Sequence, residues 1–175
     1  MLLAAGACGG SRGTEPEDRA TGPFTTDATT YTAKRVSGTG PNVAAYSFTA
    51  IARYTNVTAT PIQLLACSTW GAGPLYGVTQ VDDPLPNGFI VYNSGTFICL
   101  GSSQPIVVAP GATRVDTLHL QGTALVSPET GAVSPWIVEG RFRIFIQADS
   151  CPTPTTCVPA SDEQRRSSPF TVRAS

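Results

Sequence analysis

The chain has 175 residues, of which 41% are hydrophobic and 13% charged, with a formal net charge of −1. This length suits one ordinary domain with a real core, and the charge content lies well below the roughly 25% of an average soluble domain, which excludes a chain held open by self-repulsion. With 11 Lys and Arg against 12 Asp and Glu there is no positive field for phosphates, so no nucleic-acid partner is expected.

The first residues run Met1-Leu-Leu-Ala-Ala-Gly-Ala-Cys8. An apolar stretch, small residues and then a cysteine resemble the end of a bacterial lipoprotein signal peptide. Ala5 stands where that family usually has Leu, and the apolar region is shorter than a complete signal needs. The expectation is a sequence that begins inside the signal, with residues 1–8 as its remnant and Cys8 as the lipidated residue. Residues 9–26 are almost free of apolar side chains and are expected to form a flexible polar tether. Residues 27–175 then make a single folded domain. The resemblance implies an exported protein of the bacterial cell envelope, facing the periplasm or the cell surface. Its contact with the membrane would run through the lipid anchor alone.

Gly (17) and Pro (15) are abundant, Lys34 is the only lysine, and β-branched runs recur between turn residues. Such a chain is all-β, made of short strands and tight turns. A first strand is expected over Thr29–Val36. In Val43–Asn56, Tyr46, Phe48, Ala50, Ala52 and Tyr54 alternate with Ser47, Thr49, Ile51 and Arg53, the period of a half-buried strand. Asn56-Val-Thr58 fits a glycosylation sequon and reads as a turn leading to a strand at Ile62–Cys67. Phe89–Tyr92 and Thr96–Leu100 flank Asn93-Ser94-Gly95 as a hairpin. Pro105–Val108 and Thr113–Leu120 flank the turn Pro110-Gly111. Arg141–Ala148 alternates with Phe142, Ile144, Ile146 and Ala148 inward, and Phe145 on the other side suggests cover on both faces. Pro169–Ala174 closes the domain.

Seven to nine strands in two packed antiparallel sheets, an immunoglobulin-like β-sandwich, account best for this pattern, with an open barrel as the alternative. The segments Ala52-Arg-Tyr-Thr-Asn56, Pro61-Ile-Gln-Leu-Leu65, Val108-Ala-Pro-Gly-Ala-Thr-Arg114 and Gly140-Arg-Phe-Arg-Ile144 resemble those of bacterial immunoglobulin-like lipoprotein domains. They are also similar to small bacterial proteinase-inhibitor domains. Either resemblance implies a β-sandwich, a fold that hosts many tasks and so adds little about function.

Beyond Cys8 there are Cys67, Cys99, Cys151 and Cys157, an even set that suggests two disulfides in any of three pairings. Cys151 and Cys157 enclose a short, turn-rich segment, so local closure is the natural choice and Cys67 would pair with Cys99. Loop-closure entropy is on the order of 2 kcal/mol for the small loop and about 3.5 kcal/mol for the large one. A four-cysteine zinc site is the rival, but no C-x2-C knuckle supports it. No metal or cofactor is expected.

His119 is the only histidine, and strand parity turns it away from Asp116. No Gly-x-Ser-x-Gly elbow, phosphate loop or EF-hand spacing is present, and Asp82-Asp83 alone is weak calcium chemistry. No catalytic residue is therefore named, and the chain is read as a non-enzyme. Carboxylates brought together across sheets would be the enzymatic alternative. Binding residues are expected in two long loops, Trp70 and Tyr76 in one and Trp136 in the other, since aromatic side chains on loops are favoured at contacts. The expected role is a non-enzymatic interaction or structural domain of the envelope whose partner is an envelope protein or a surface ligand. A secreted inhibitor or ligand-binding module using Trp70 and Trp136 is the alternative.

Overall fold

A computed structural model describes residues 22–40, 43–66, 74–81, 91–94, 105–125, 138–153 and 155–175. Among these the strands are β1 (Phe24–Thr26), β2 (Thr30–Gly40), β3 (Val43–Thr55), β4 (Ile62–Leu64), β5 (Tyr76–Gln80), β6 (Tyr92–Asn93), β7 (Ile106–Val108), β8 (Thr113–Leu125), β9 (Gly140–Ile146), β10 (Ala148–Thr153), β11 (Thr156–Pro159) and β12 (Phe170–Ala174). A single helical turn, α1 (Asp162–Arg165), precedes β12.

The alternation in β3 sets the architecture. Tyr46, Phe48, Ala50, Ala52 and Tyr54 are all buried, while Thr49, Ile51 and Arg53 face out. One edge of β3 pairs with β8 along its whole length, from Val43↔Leu125 to Thr55↔Thr113. The other edge carries β2 at Ala45–Ser47 and β1 at Ala52–Tyr54. With both edges of β3 occupied, the sheet closes as β3-β2-β12-β9-β5-β6-β8-β3, a barrel of seven strands.

This all-β barrel replaces the expected two-sheet sandwich. The reason is that alternation dictates which face of a strand is buried but not whether the sheet's last strand returns to its first. β8 also runs five residues beyond the expected Leu120, because β3 offers it a paired edge as far as Val43. All neighbouring strands in the ring are antiparallel except β2 and β12, which pair in parallel from Thr30↔Thr171 to Ala33↔Ala174.

A second sheet has the order β11-β10-β4-β7. Its Ile62, Leu64, Val108 and Ala148 join the barrel's side chains in one hydrophobic cluster. That cluster is rich in aromatic rings. Phe48 meets Tyr92 at 5.0 Å, Tyr31 meets Phe48 at 5.2 Å, and Tyr31 meets Phe170 at 5.3 Å. Full burial of a Phe-sized side chain stabilises by about 1.5–3 kcal/mol, so this cluster dominates the energetics of the fold.

Two glycines meet specific demands. Gly111, φ +74°, follows Pro110 in the turn closed by Ala112 N–H on Ala109 O at 3.0 Å, and a positive φ there favours glycine. Gly122 lies between Tyr46 and Tyr92 in register, and a Cβ on it would sit 2.4 Å from the Val91 carbonyl oxygen.

Candidate functional site

The structure first settles several positions named from sequence. Cys151 and Cys157 are joined by a disulfide across the β10–β11 hairpin. The lipidation residue Cys8, the second pair Cys67 and Cys99, the loop residues Trp70 and Trp136, and Asp82-Asp83 lie outside the described residues. Thr96–Leu100 lies outside them too. Asn93, expected in a hairpin turn, is instead in β6, opposite Gly77 and Gln121.

Tyr76 is a correction. It was expected in an open binding loop, but it begins strand β5 and is 2% exposed. Tyr76 to Thr79 are buried on both faces, so this strand has no alternation to betray it, and Gly77 adds to its loop-like composition. The Tyr76 hydroxyl donates to Asp116 Oδ2 at 2.7 Å, and Arg114 Nε and Nη2 hold the same carboxylate at 2.7 and 2.6 Å. Burial, then the bond to Asp116, raises the Tyr76 hydroxyl well above its ordinary pKa. Asp116, with both oxygens occupied, holds a barrel tyrosine in place. The Arg-x-Asp spacing of Arg114 and Asp116, two residues apart on one strand face, was the available signal for this group.

The sequon is also resolved. Asn56 is fully buried, and its Nδ2 donates to the carbonyls of Thr60 and Val108, both at 2.9 Å. Its Oδ1 accepts from the Thr58 amide at 3.0 Å and the Thr58 hydroxyl at 2.7 Å. Its backbone N–H and carbonyl bond Ala112 and Gly111. Asn56 thus ties the end of β3 to β7 and to the Pro110-Gly111 turn, and no amide hydrogen is left for a glycan.

Two concave regions lie among the described residues. The first is a groove of about 320 Å³ over the outward side of β2, β3 and β8. Lys34 stands opposite Ser47 and Ser47 opposite Gln121, while Thr49 stands opposite His119 in the next outward row. His119 Nδ1 lies 3.2 Å from Thr49 Oγ1. The lone lysine and lone histidine thus share one polar groove, with no carboxylate in its lining. No nucleophile, base and orienting acid converge there, since Asp116 faces the other side of β8 toward Tyr76.

The second is a cleft of about 370 Å³ between the start of β1, β9 and the segment joining α1 to β12. Arg143, Arg166, Ser168 and Glu163 line it. Sequence reading passed over Arg143 because it appeared only as the polar half of an alternating strand. Its special position depends on Ser167, more than 20 residues away, whose Oγ accepts from the Ile144 amide at 2.9 Å.

Among the described residues, no three His, Cys, Asp or Glu side chains gather as a metal site, and no helix is long and apolar enough to cross a membrane. Comparison with protein families, with characterised proteins and with solved structures finds no match to this chain.

Proposed function

We propose that this chain is an exported, non-enzymatic domain of the bacterial cell envelope that acts by binding and is held at the membrane by a lipid on Cys8. The observation that carries this reading is the Cys151–Cys157 disulfide on an exposed hairpin, because such bonds persist in oxidising compartments and are rare in the cytosol. The polar groups of the barrel support the non-enzymatic part. Asp116 is engaged by Arg114 and Tyr76, and Asp27 Oδ1 accepts from the Tyr31 hydroxyl at 2.6 Å and the Ile51 amide at 2.8 Å. These carboxylates position backbone and rings rather than opening onto a reaction site.

The test is metabolic labelling with a fatty acid, combined with intact mass before and after reduction and thiol alkylation. The expected protein carries acyl chains that are lost in Cys8→Ala, and Cys151 and Cys157 react with alkylating agent only after reduction. An unacylated cytosolic chain with both thiols free would overturn the reading.

A further inference from the structure

We infer that the groove over the outward side of β2, β3 and β8 binds a phosphoryl or sulfuryl group carried on a small hydroxylated molecule, with Lys34 as its anchor. This gives the binding role proposed above a site and a ligand class, but it does not rest on export or acylation, which are tested separately.

The groove follows from side-chain lengths on three neighbouring strands. A barrel's outer wall is convex, yet here β3 carries the short Ser47 and Thr49 between the longer Lys34 of β2 and the Gln121 and His119 of β8. Strands lie about 4.8 Å apart and outward residues recur about every 6.8 Å along each, so these side chains enclose a trough over β3. Its volume is about 320 Å³, at the lower end for sites that take one small organic molecule. Phe48 and Leu120 turn their side chains into the core and give the floor only backbone.

The described lining holds the Lys34 ammonium and no carboxylate. Thr32, Lys34, Ser47 and Gln121 make no side-chain hydrogen bond or ion pair among the described residues, and all but the half-buried Ser47 are exposed, so these groups are open to a ligand. His119 Nδ1 lies against Thr49 Oγ1, which leaves Nε2 for the groove. The carboxylates of the neighbouring elements are engaged elsewhere: Asp116 by Arg114 and Tyr76, Asp27 by Tyr31 and the Ile51 amide, and Glu139 by the Ala174 amide. An unpaired ammonium among hydroxyl and amide donors suits an anion and repels a metal cation. No guanidinium in the described lining offers the flat fork that matches a planar carboxylate, whereas a point charge with hydroxyls around it suits a tetrahedral oxyanion. The rest of that lining is polar and presents no exposed aromatic or aliphatic side chain, so the carrier is one rich in hydroxyls.

The experiment titrates the full chain with glucose 6-phosphate, glucose 6-sulfate, glucose, inorganic phosphate and acetate, following backbone amides by NMR, with chloride at matched ionic strength as control. Saturable shifts at Lys34, Ser47, Thr49, His119 and Gln121 are expected with the sugar esters, and the tighter of the two names the tetrahedral group. That ester should bind about ten-fold or more tighter than glucose, and tighter than inorganic phosphate. Lys34→Gln should weaken binding about ten-fold or more, and Gln121→Glu, which adds a carboxylate to the lining, should abolish it. Both positions are exposed, so both variants should keep the wild-type circular dichroism, and if either unfolds the other decides. Equal shifts with chloride, no saturation by either ester, acetate, glucose or inorganic phosphate binding as tightly as the esters, or an affinity unmoved in the folded variants would overturn the inference.

Discussion

The barrel and the small sheet bury side chains in one core, yet they are secured differently. In the barrel, every strand of the ring has neighbours on both edges, and rings such as Phe48, Tyr92 and Phe142 interlock at 5.0 to 6.0 Å. In the small sheet, β11 lies at the edge with all four residues exposed, and Val158 is 52% exposed. The disulfide lies on this thin part, linking β11 to the buried Cys151 of β10. Where apolar burial is ample, it stabilises the chain directly. Where an edge hairpin buries almost nothing, the crosslink restricts the unfolded chain instead. Asn56, buried at the seam between β3 and β7 with its side-chain amide fully used, joins the two regimes through the Val108 carbonyl.

The sharpest way to break the barrel is alkali. Burial pushes the Tyr54 hydroxyl up to about 12, and burial also raises Tyr31, Tyr76 and Tyr92. The folded state therefore holds these protons more tightly than the unfolded chain. Their stabilisation is full below pH 10 and is lost as pH rises through the folded values, with Tyr54 contributing its loss between 10 and about 12. Each hydroxyl that stays protonated in the fold removes about 1.4 kcal/mol per pH unit in this range. Phenolate absorbance and circular dichroism should change together in one cooperative step. Phenolate formation spread over the ordinary tyrosine range in an intact fold would show that the rings are accessible.

Gly122 is the next target. Gly122→Ala places a methyl 2.4 Å from a backbone oxygen in register with both β3 and β6, so the ring itself must shift. A loss of about 3 kcal/mol is expected in denaturant unfolding, the upper part of the usual overpacking range. The same substitution at Gly111 meets no atom within 4 Å and strains only the local φ, so its cost should be about 1 kcal/mol. Equal effects at the two sites would argue against a tightly closed barrel at β6–β8.

A smaller effect than that at Gly122 belongs to the small sheet. Replacing Cys151 and Cys157 together by serine should cost on the order of 2 kcal/mol and leave the aromatic signature of the barrel unchanged. Hydrogen exchange should then rise first in β11 and the outer part of β10. A loss of the barrel's near-ultraviolet signal in this variant would mean that the two regions fold as one unit secured by the crosslink.

What the sequence determined by itself was local. Parity alone assigned the inward faces of β3 and β9, where Tyr46, Phe48, Tyr54, Phe142, Ile144 and Ile146 are buried, because the side-chain period of a strand is two. Pro110-Gly111 announced its turn, and the short spacing of Cys151 and Cys157 their bond. The tertiary structure decided everything that depends on distant pairing. It decided the return of β8 to β3, the parallel docking of β12 on β2, the double-sided burial of Tyr76, and the cover that seals Arg143 Nε from solvent. Each of these is a choice of neighbour, and a strand's own residues encode its buried face far more strongly than they encode which edge it will meet.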